Sequence, residues 1–520
     1  MGLYVNPSND GFAESLRSKI YVDKTGFISY ANGVLGTKQK YICFSRPRRF
    51  GKTMAAEMLA AYYSRGCESS GMFAGLAISD DPSFKSRLNK YHVVFLNVQQ
   101  FLSESHEISK MIAKICANVI DEIHSLYPGL PAAAPSMTDA LQQLRAETGV
   151  PIVFIIDEWD CIFREHQTDK AAQKTYLDFL RDLLKDRTYV ALAYMTGILP
   201  IKKYGSHSAL NMFDEFSMTD PEPLAEYVGF TSEEVKILCG RHKMSYEEMA
   251  EWYDGYHFQN IKSVYNPRSV VTSILRRHFG NFWTKTETYE ALSVFIQANY
   301  DGLKDAIIDL LAGEKKSIDV SSFTNDMVTF NSYHDVLTLL IHLGYLGFDC
   351  ETREAFIPNK EISDEFATAV KNVGWNEIAA ALNASEELLR ATWRGDARSV
   401  AKAIEQTHNE MSIIKYNDEN ALSCVISLAY YDARNYYKII REMPAGRGFA
   451  DLIFLPRKNH IDKPAMIIEL KWDESAAGAI QQIEDRHYTG AVREYADNAL
   501  LIGINYKKHS KEHECVIKQL

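Results

Sequence analysis

Residues Arg46-Pro47-Arg48-Arg49-Phe50-Gly51-Lys52-Thr53 place a lysine and a hydroxyl directly after a glycine, between a short apolar run and a helical one. That order suits phosphate binding. Successive backbone N–H groups and a helix N-terminus point at the anion, the lysine reaches the β and γ phosphates, and the hydroxyl holds magnesium. Lys52 is expected on an exposed loop, with Thr53 as the hydroxyl. The first glycine usual in such a loop would stand where this chain has Arg46, so the turn must be made without it. A second constellation lies near the other end, where Asp451 precedes Glu469-Leu470-Lys471. Two acids able to hold a divalent cation, with a lysine to position or activate water, are the parts of metal-dependent phosphodiester cleavage.

These residues need particular elements to hold them. An apolar run over 40–44 feeds the loop and a helix begins after it, the strand, loop and helix order that phosphate binding requires. Further apolar strands over 93–98, 151–156 and 189–195 alternate with helical stretches over 105–125 and 171–184, which implies a parallel sheet covered on both faces. The strand over 151–156 leads into Asp157-Glu158. There Asp157 would hold the metal's water shell and Glu158 would orient attacking water; the plainer alternative is an acidic pair capping the next helix. Thr196, at the end of the following strand, could set a hydroxyl beside the phosphates.

Past residue 205 the pattern turns helical and polar, with a helix start at Thr231-Ser232-Glu233-Glu234, and reads as a lid on the sheet. A helix over 333–343 and short strands over 345–350 and 355–357 suggest a small winged-helix unit, and 375–411 reads as amphipathic helix. In the last α/β stretch Asp451 falls on a strand over 449–455, and Glu469 and Lys471 share one face of an apolar strand over 465–472. The loop over 457–464 would return the chain antiparallel and bring the two acids together.

At 520 residues the chain is too long for one core, and roughly three to four units are expected. It is 46% hydrophobic and 24% charged, the composition of an ordinary globular protein. A net charge of −11 offers no general basic surface, so any nucleic acid must be met by a local patch. Eight scattered cysteines without a C-x-x-C pair argue against a disulfide framework or zinc knuckle and for a reducing cytoplasm. The longest apolar stretches, 189–201 and 336–348, fall short of the ~20 residues that span a bilayer, and the first residues carry no export signal. His509, His513 and Cys515 lie among lysines and glutamates in a tail that reads as a solvated end.

Tyr21-Val22-Asp23-Lys24-Thr25, the loop 46–53, Thr196-Gly197-Ile198, Trp252-Tyr253-Asp254-Gly255-Tyr256 and Tyr265-Asn266-Pro267 together resemble the AAA-ATPase-like proteins that carry a C-terminal PD-(D/E)XK nuclease domain. The family usually has Ser where this chain has Thr53, and either can bind magnesium. The resemblance implies an α/β fold: a P-loop parallel-sheet ATPase over 1–228, a helical lid over 229–325, a winged-helix-like unit over 326–374, a helical connector over 375–411, and a restriction-endonuclease-like domain over 412–520. It implies ATP and Mg²⁺ at Arg46, Pro47, Arg48, Arg49, Phe50, Gly51, Lys52, Thr53, Asp157 and Thr196, with Thr53 and Asp157 on the metal. In the second site Asp451 and Glu469 would bind Mg²⁺ or Mn²⁺ beside Lys471. Glu419 matches a further family glutamate, and Gln482 and Tyr488, on the next helix, match supporting residues. The expected function is an ATP-hydrolysing protein coupled to a DNA endonuclease, in defence or mobile-element biology. The alternative is a nucleotide-switched scaffold that binds DNA or protein with an inactive nuclease-like domain. ATPases of this broad class often form rings, so a homo-oligomer is among the expectations, and no membrane is.

Overall fold

The near-continuous apolar runs become the buried strands β1 (Tyr41–Ser45), β2 (His92–Asn97), β3 (Ile152–Asp157) and β4 (Val190–Gly197), with a short β5 (Asp214–Phe216). All pair in parallel, in the order β2-β3-β4-β1-β5. Strands buried on both faces have no polar side to alternate with, which is why they read as unbroken apolar segments. The register sets Asp157 beside Thr196 and Ser45 beside Gly197, so the carboxyl ends of β1, β3 and β4 converge. At that edge β1 passes through the loop into α1 (Lys52–Tyr63).

The computed structural model describes residues 1–131, 134–201, 210–261, 263–283, 288–298, 300, 302–325, 327–410, 419–445, 448–488, 492, 495 and 498–520. The chain divides into two units, Met1–Lys285 with Ser317–Ile362, and Thr286–Lys316 with Ser363–Leu520. This grouping cuts across the linear layout: 286–316 belongs with the C-terminal unit, and the 326–374 stretch divides at Ile362. Periodicity reports which face of an element is apolar, not which core receives it. The 105–125 stretch forms the single helix Ile108–Leu126, and a further helix, Val98–Ser105, capped by the Asn97 side chain, precedes it with His106 at φ 59° between the two. One single helix becomes a pair. The 375–411 stretch breaks into Asn376–Trp393 and Ala397–Glu410 around Gly395, whose φ is 71°.

In the first unit the helices Ser232–His242, Tyr246–Tyr253 and Pro267–Arg276 share a core that includes Val235, Leu238, Met249, Tyr253, Val270 and Ile274. Thr231 and Glu234 form a reciprocal cap at the first of these, each side chain accepting from the other's backbone N–H. The helix Tyr333–Leu343 ends at Gly344 and is followed by the antiparallel strands Gly347–Asp349 and Glu354–Phe356.

The second unit holds β6 (Tyr437–Ala445), β7 (Gly448–Pro456), β8 (Ala465–Trp472), β9 (Ala499–Lys507) and β10 (Glu512–Gln519), hydrogen-bonded in that order. Every pairing is antiparallel except β8 with β9, which is parallel and spanned by α2 (Ala476–Asp485). Alternation along β8 sends Met466, Ile468 and Leu470 into one core and Ala465 and Ile467 into another, the second closed by Ile480 and Ile483 of α2.

The tail is not a solvated end. His513 on β10 and His408 on the helix Ala397–Glu410 are 7% and 4% exposed, with His408 Nδ1 2.9 Å from His513 Nε2. An edge strand that packs one face on a helix buries alternate residues however polar its sequence is, whereas His509 is exposed. The His513 N–H donates to Glu405 Oε2 at 3.3 Å. Burial holds His408 down to about 4 and His513 down to about 3. In the unfolded chain each takes a proton near its ordinary value of about 6.5, so stability present above that pH is lost as pH falls toward about 4. At roughly 1.4 kcal/mol per pH unit per group, the two imidazoles together give an upper bound of about 6 kcal/mol lost over that interval. Thermal unfolding followed against pH checks this, because His408→Leu/His513→Leu should flatten the slope.

Candidate functional sites

The phosphate loop turns at Arg49, with φ 69°, and at Gly51, with φ 96°. The turn expected of a first glycine is thus moved three residues along, onto a non-glycine residue in the left-handed region, at a cost of about 1 kcal/mol. Arg46 is fully buried and serves the fold beneath the loop. Its N–H donates to Gly197 O at 3.1 Å, and its Nη1 donates to the carbonyls of Ser45 and Phe216, both at 3.0 Å. The guanidinium lies over the rings of Phe44 and Phe258, 5.1 and 5.0 Å from their centroids, and burial brings it down to about 9. Its Nε and Nη2 are buried without a hydrogen-bond partner among the described residues.

Lys52 is not on an exposed loop. It is 5% exposed, and its Nζ donates to the carbonyls of Arg46 and Pro47, both at 2.9 Å. Burial lowers its proton affinity, opposed by the nearby Glu158, Asp160 and Asp157. Gly51 heads α1 without a side-chain cap, which leaves the first-turn N–H groups to a ligand or to solvent. The aromatic motifs brace the loop from behind. Phe50 meets Tyr256 edge-on at 5.3 Å, Phe50 O accepts from Gly229 N at 3.0 Å, and Tyr256 donates to Gly344 O at 2.6 Å. A Cβ on Gly344 would stand 2.7 Å from the Pro47 side chain, and one on Gly255 would stand 2.0 Å from Pro358 O. The aromatic motifs alone did not reveal this bracing role.

At the end of β3, Asp157 Oδ2 accepts from Thr53 Oγ1 at 2.8 Å and Oδ1 accepts from Glu158 N at 3.0 Å. Burial pushes Asp157 up to about 6, with Glu158 adding to the effect and Thr53 opposing it. Thr196 sits beside Asp157 in the register, but it is fully buried and donates its proton to Phe44 O at 3.1 Å, within the sheet rather than toward the loop. Glu158 has φ 53° and its Oε2 accepts from Arg164 Nη2 at 2.5 Å. Arg164 Nε in turn donates to Asp160 Oδ2 at 3.2 Å. Neither Arg164 nor Asp160 stands out in the sequence, where an Asp just ahead of the short helix Cys161–Glu165 and an Arg on it carry no signal of their own.

In the second unit, β7 and β8 run antiparallel with Leu452 opposite Ile468, a register that puts Asp451 opposite Glu469 on the α2 side of the sheet. Asp451 Oδ2 accepts from Leu470 N at 2.7 Å. Glu469 is 2% exposed; its Oε1 accepts from Gln482 Nε2 on α2, while its Oε2 is buried without a partner among the described residues. Burial, followed by the charge of Asp451, pushes Glu469 up to about 8. Lys471 Nζ lies 4.0 Å from Glu469 Oε1 at 14% side-chain exposure, so the two are no surface ion pair on a solvated edge. Tyr488 lies beyond the end of α2, not on it; it is buried and its hydroxyl accepts from Arg486 Nη1 at 3.3 Å. Glu419 begins the helix Glu419–Ala429, but its side chain lies outside the described residues, as do residues 446 and 447 ahead of Asp451.

Such a pair of acids, one with a free buried oxygen, is a donor set for a hard cation that would need further oxygen ligands. Among the described residues no group of three or more His, Cys, Asp and Glu side chains could hold a metal by itself. No helix among them is long and apolar enough to cross a membrane.

Residues 12–206 match the family model described as a predicted AAA-ATPase, and residues 417–515 match that of the PD-(D/E)XK nuclease superfamily. A curated relative described as an uncharacterized protein in the vnfD 5′ region of Azotobacter chroococcum is 25% identical over 274 residues, 52% of this chain and 51% of that protein. The chain thus spans about half the length of the curated relative it matches. Among solved structures, the Walker-type ATPase of Pyrococcus abyssi aligns at 12% identity and TM-score 0.34, over 69% of this chain and 94% of that one. The ORC2 protein of Aeropyrum pernix, with ADPNP and ADP, aligns at 13% identity and TM-score 0.29, over 70% and 98%. With the mixed sheet behind the acidic pair and the parallel sheet behind the phosphate loop, the two family models make the chain one that joins an AAA-ATPase-like domain at 12–206 to a domain of the PD-(D/E)XK nuclease superfamily at 417–515.

Proposed function

We propose that the protein binds and hydrolyses ATP at the loop 46–53 and that its nucleotide state controls a Mg²⁺-dependent DNA endonuclease at Asp451, Glu469 and Lys471. The observation that carries the second half is the buried oxygen of Glu469, opposite Asp451, that has no partner among the described residues. A buried carboxylate oxygen without a donor is costly unless a ligand supplies the missing charge.

The nucleotide and divalent metals that domains of these two kinds generally use fit the residues present. At the first site Thr53 and Asp157 would hold Mg²⁺, which supplies neutralisation of phosphate charge. Lys52 would exchange two loop carbonyls for phosphate oxygens, and Glu158 would orient water with its carboxylate. At the second site Asp451 and Glu469 would hold Mg²⁺ or Mn²⁺, Gln482 would steer the Glu469 carboxylate, and Lys471 would position the attacking water. DNA is the favoured nucleic acid, with defence or mobile-element biology as the setting and a homo-oligomer as the working form.

Plasmid nicking and phosphate release, measured together over Mg²⁺ and Mn²⁺ with and without ATP, test this reading. Metal-dependent nicking that disappears in Lys471→Ala is expected. A wild-type protein that releases phosphate and never nicks DNA would move the reading to the nucleotide-switched scaffold.

A further inference from the structure

Glu158 ends in an ion-pair relay that the phosphate loop itself does not require. Its Oε2 is taken by Arg164 Nη2 at 2.5 Å, and Arg164 Nε donates to Asp160 Oδ2 at 3.2 Å. The same Asp160 oxygen accepts the N–H groups of Ile198 at 3.1 Å and Leu199 at 2.8 Å, just past the end of β4. Asp160 Oδ1 would stand 2.5 Å from a Cβ on Gly197, so the carboxylate packs directly on that strand end. Arg164 is 9% and Asp160 0% exposed, which makes this a buried, charge-assisted network rather than a solvated pair. Glu158 itself remains 24% exposed, and among the described residues its Oε1 has no hydrogen-bond partner.

That division of labour suits a carboxylate that must aim. One oxygen is fixed by a planar guanidinium and the other is left open to water. The backbone adds to the constraint, because φ 53° at Glu158 is a conformation that a side-chain-bearing residue rarely adopts. We propose that Arg164 is a positioning residue for ATP hydrolysis: it fixes one oxygen of Glu158 and ties that carboxylate, through Asp160, to the end of the strand that carries Thr196. This rests on the reading of Glu158 as the residue that orients water. A merely structural Arg164 would neutralise Asp160 and matter for stability alone.

Wild type, Glu158→Gln, Arg164→Leu, Arg164→Lys and the double variant Glu158→Gln/Arg164→Leu, all as the full chain, separate these roles through kcat and KM for ATP. Misplacing a water-orienting group should lower kcat about 10- to 100-fold with KM within about 3-fold, the signature of an interaction made only in the transition state. The double variant should be no slower than Glu158→Gln, because both changes disable one device. Arg164→Lys keeps a cation for Asp160 but cannot bridge both acids, so a folded Arg164→Lys should also lose kcat, by less. Wild-type or raised kcat in either folded Arg164 variant overturns the proposal, as does a double variant whose losses multiply. If Arg164→Leu does not fold, Arg164→Lys decides alone. A wild-type rate in Glu158→Gln would instead remove the reading of Glu158 on which the proposal stands.

Discussion

Lys52→Ala is expected to weaken ATP binding about 100-fold, since a charge-assisted contact to phosphate contributes roughly 3 kcal/mol. The mutation removes a buried cation whose Nζ is engaged, among the described residues, by the carbonyls of Arg46 and Pro47 alone. Those carbonyls belong to the loop and not to the sheet, so the fold should survive with its melting temperature within a few degrees of wild type. Titration calorimetry gives the affinity directly. Thermal melts give a second measure, because a ligand that binds only the folded state raises its stability by mass action. ATP should therefore shift the wild-type transition upward and leave that of the mutant in place. Equal affinity in the two proteins would show that Lys52 is a structural lysine.

Asp451→Ala and Glu469→Ala should each reduce metal-dependent DNA cleavage by more than about 100-fold, because even the groups that merely support metal ligands cost about 10- to 100-fold when lost. ATP hydrolysis should persist in both, since Lys52, Thr53 and Asp157 lie in the other unit. The two residues should differ in stability. Glu469 is nearly fully buried with one oxygen unpartnered among the described residues, so Glu469→Gln, which keeps the shape and removes the charge, should abolish cleavage while leaving stability equal or higher. Asp451→Ala should destabilise by about 1 to 3 kcal/mol, because the Leu470 N–H loses its acceptor. A surface ion pair of Glu469 with Lys471 would contribute at most about 1 kcal/mol and would not affect either activity. Nicking and phosphate release measured side by side decide the matter: undiminished nicking in both alanine variants would falsify the nuclease assignment.

Several local features were legible because their causes are local. Unbroken apolar runs mark strands covered on both faces, and the observed β1 to β4 fall within one or two residues of the runs that foretold them. The two-residue spacing of Glu469 and Lys471 sets them on one face of β8 wherever that strand packs. The cap at Thr231 needs only a glutamate three residues later. The helix break at Gly395 was less legible, since it ends one helix and leads into another without interrupting the amphipathic pattern.

By itself the sequence determined the two sets of chemical groups, the strands that carry them and their separation along the chain, because side-chain period and strand burial are written in neighbouring residues. Only the tertiary structure decided that Arg46 lies under the loop rather than over a phosphate, that Lys52 is buried, and that Thr196 donates within the sheet. It also decided that Arg164 and Asp160 join Glu158 to β4, that His408 meets His513, and that 286–316 packs with the C-terminal unit. Each of these depends on which residues distant in sequence fill a shared core, and hydrogen-bond partners and burial follow from that packing rather than from any local repeat.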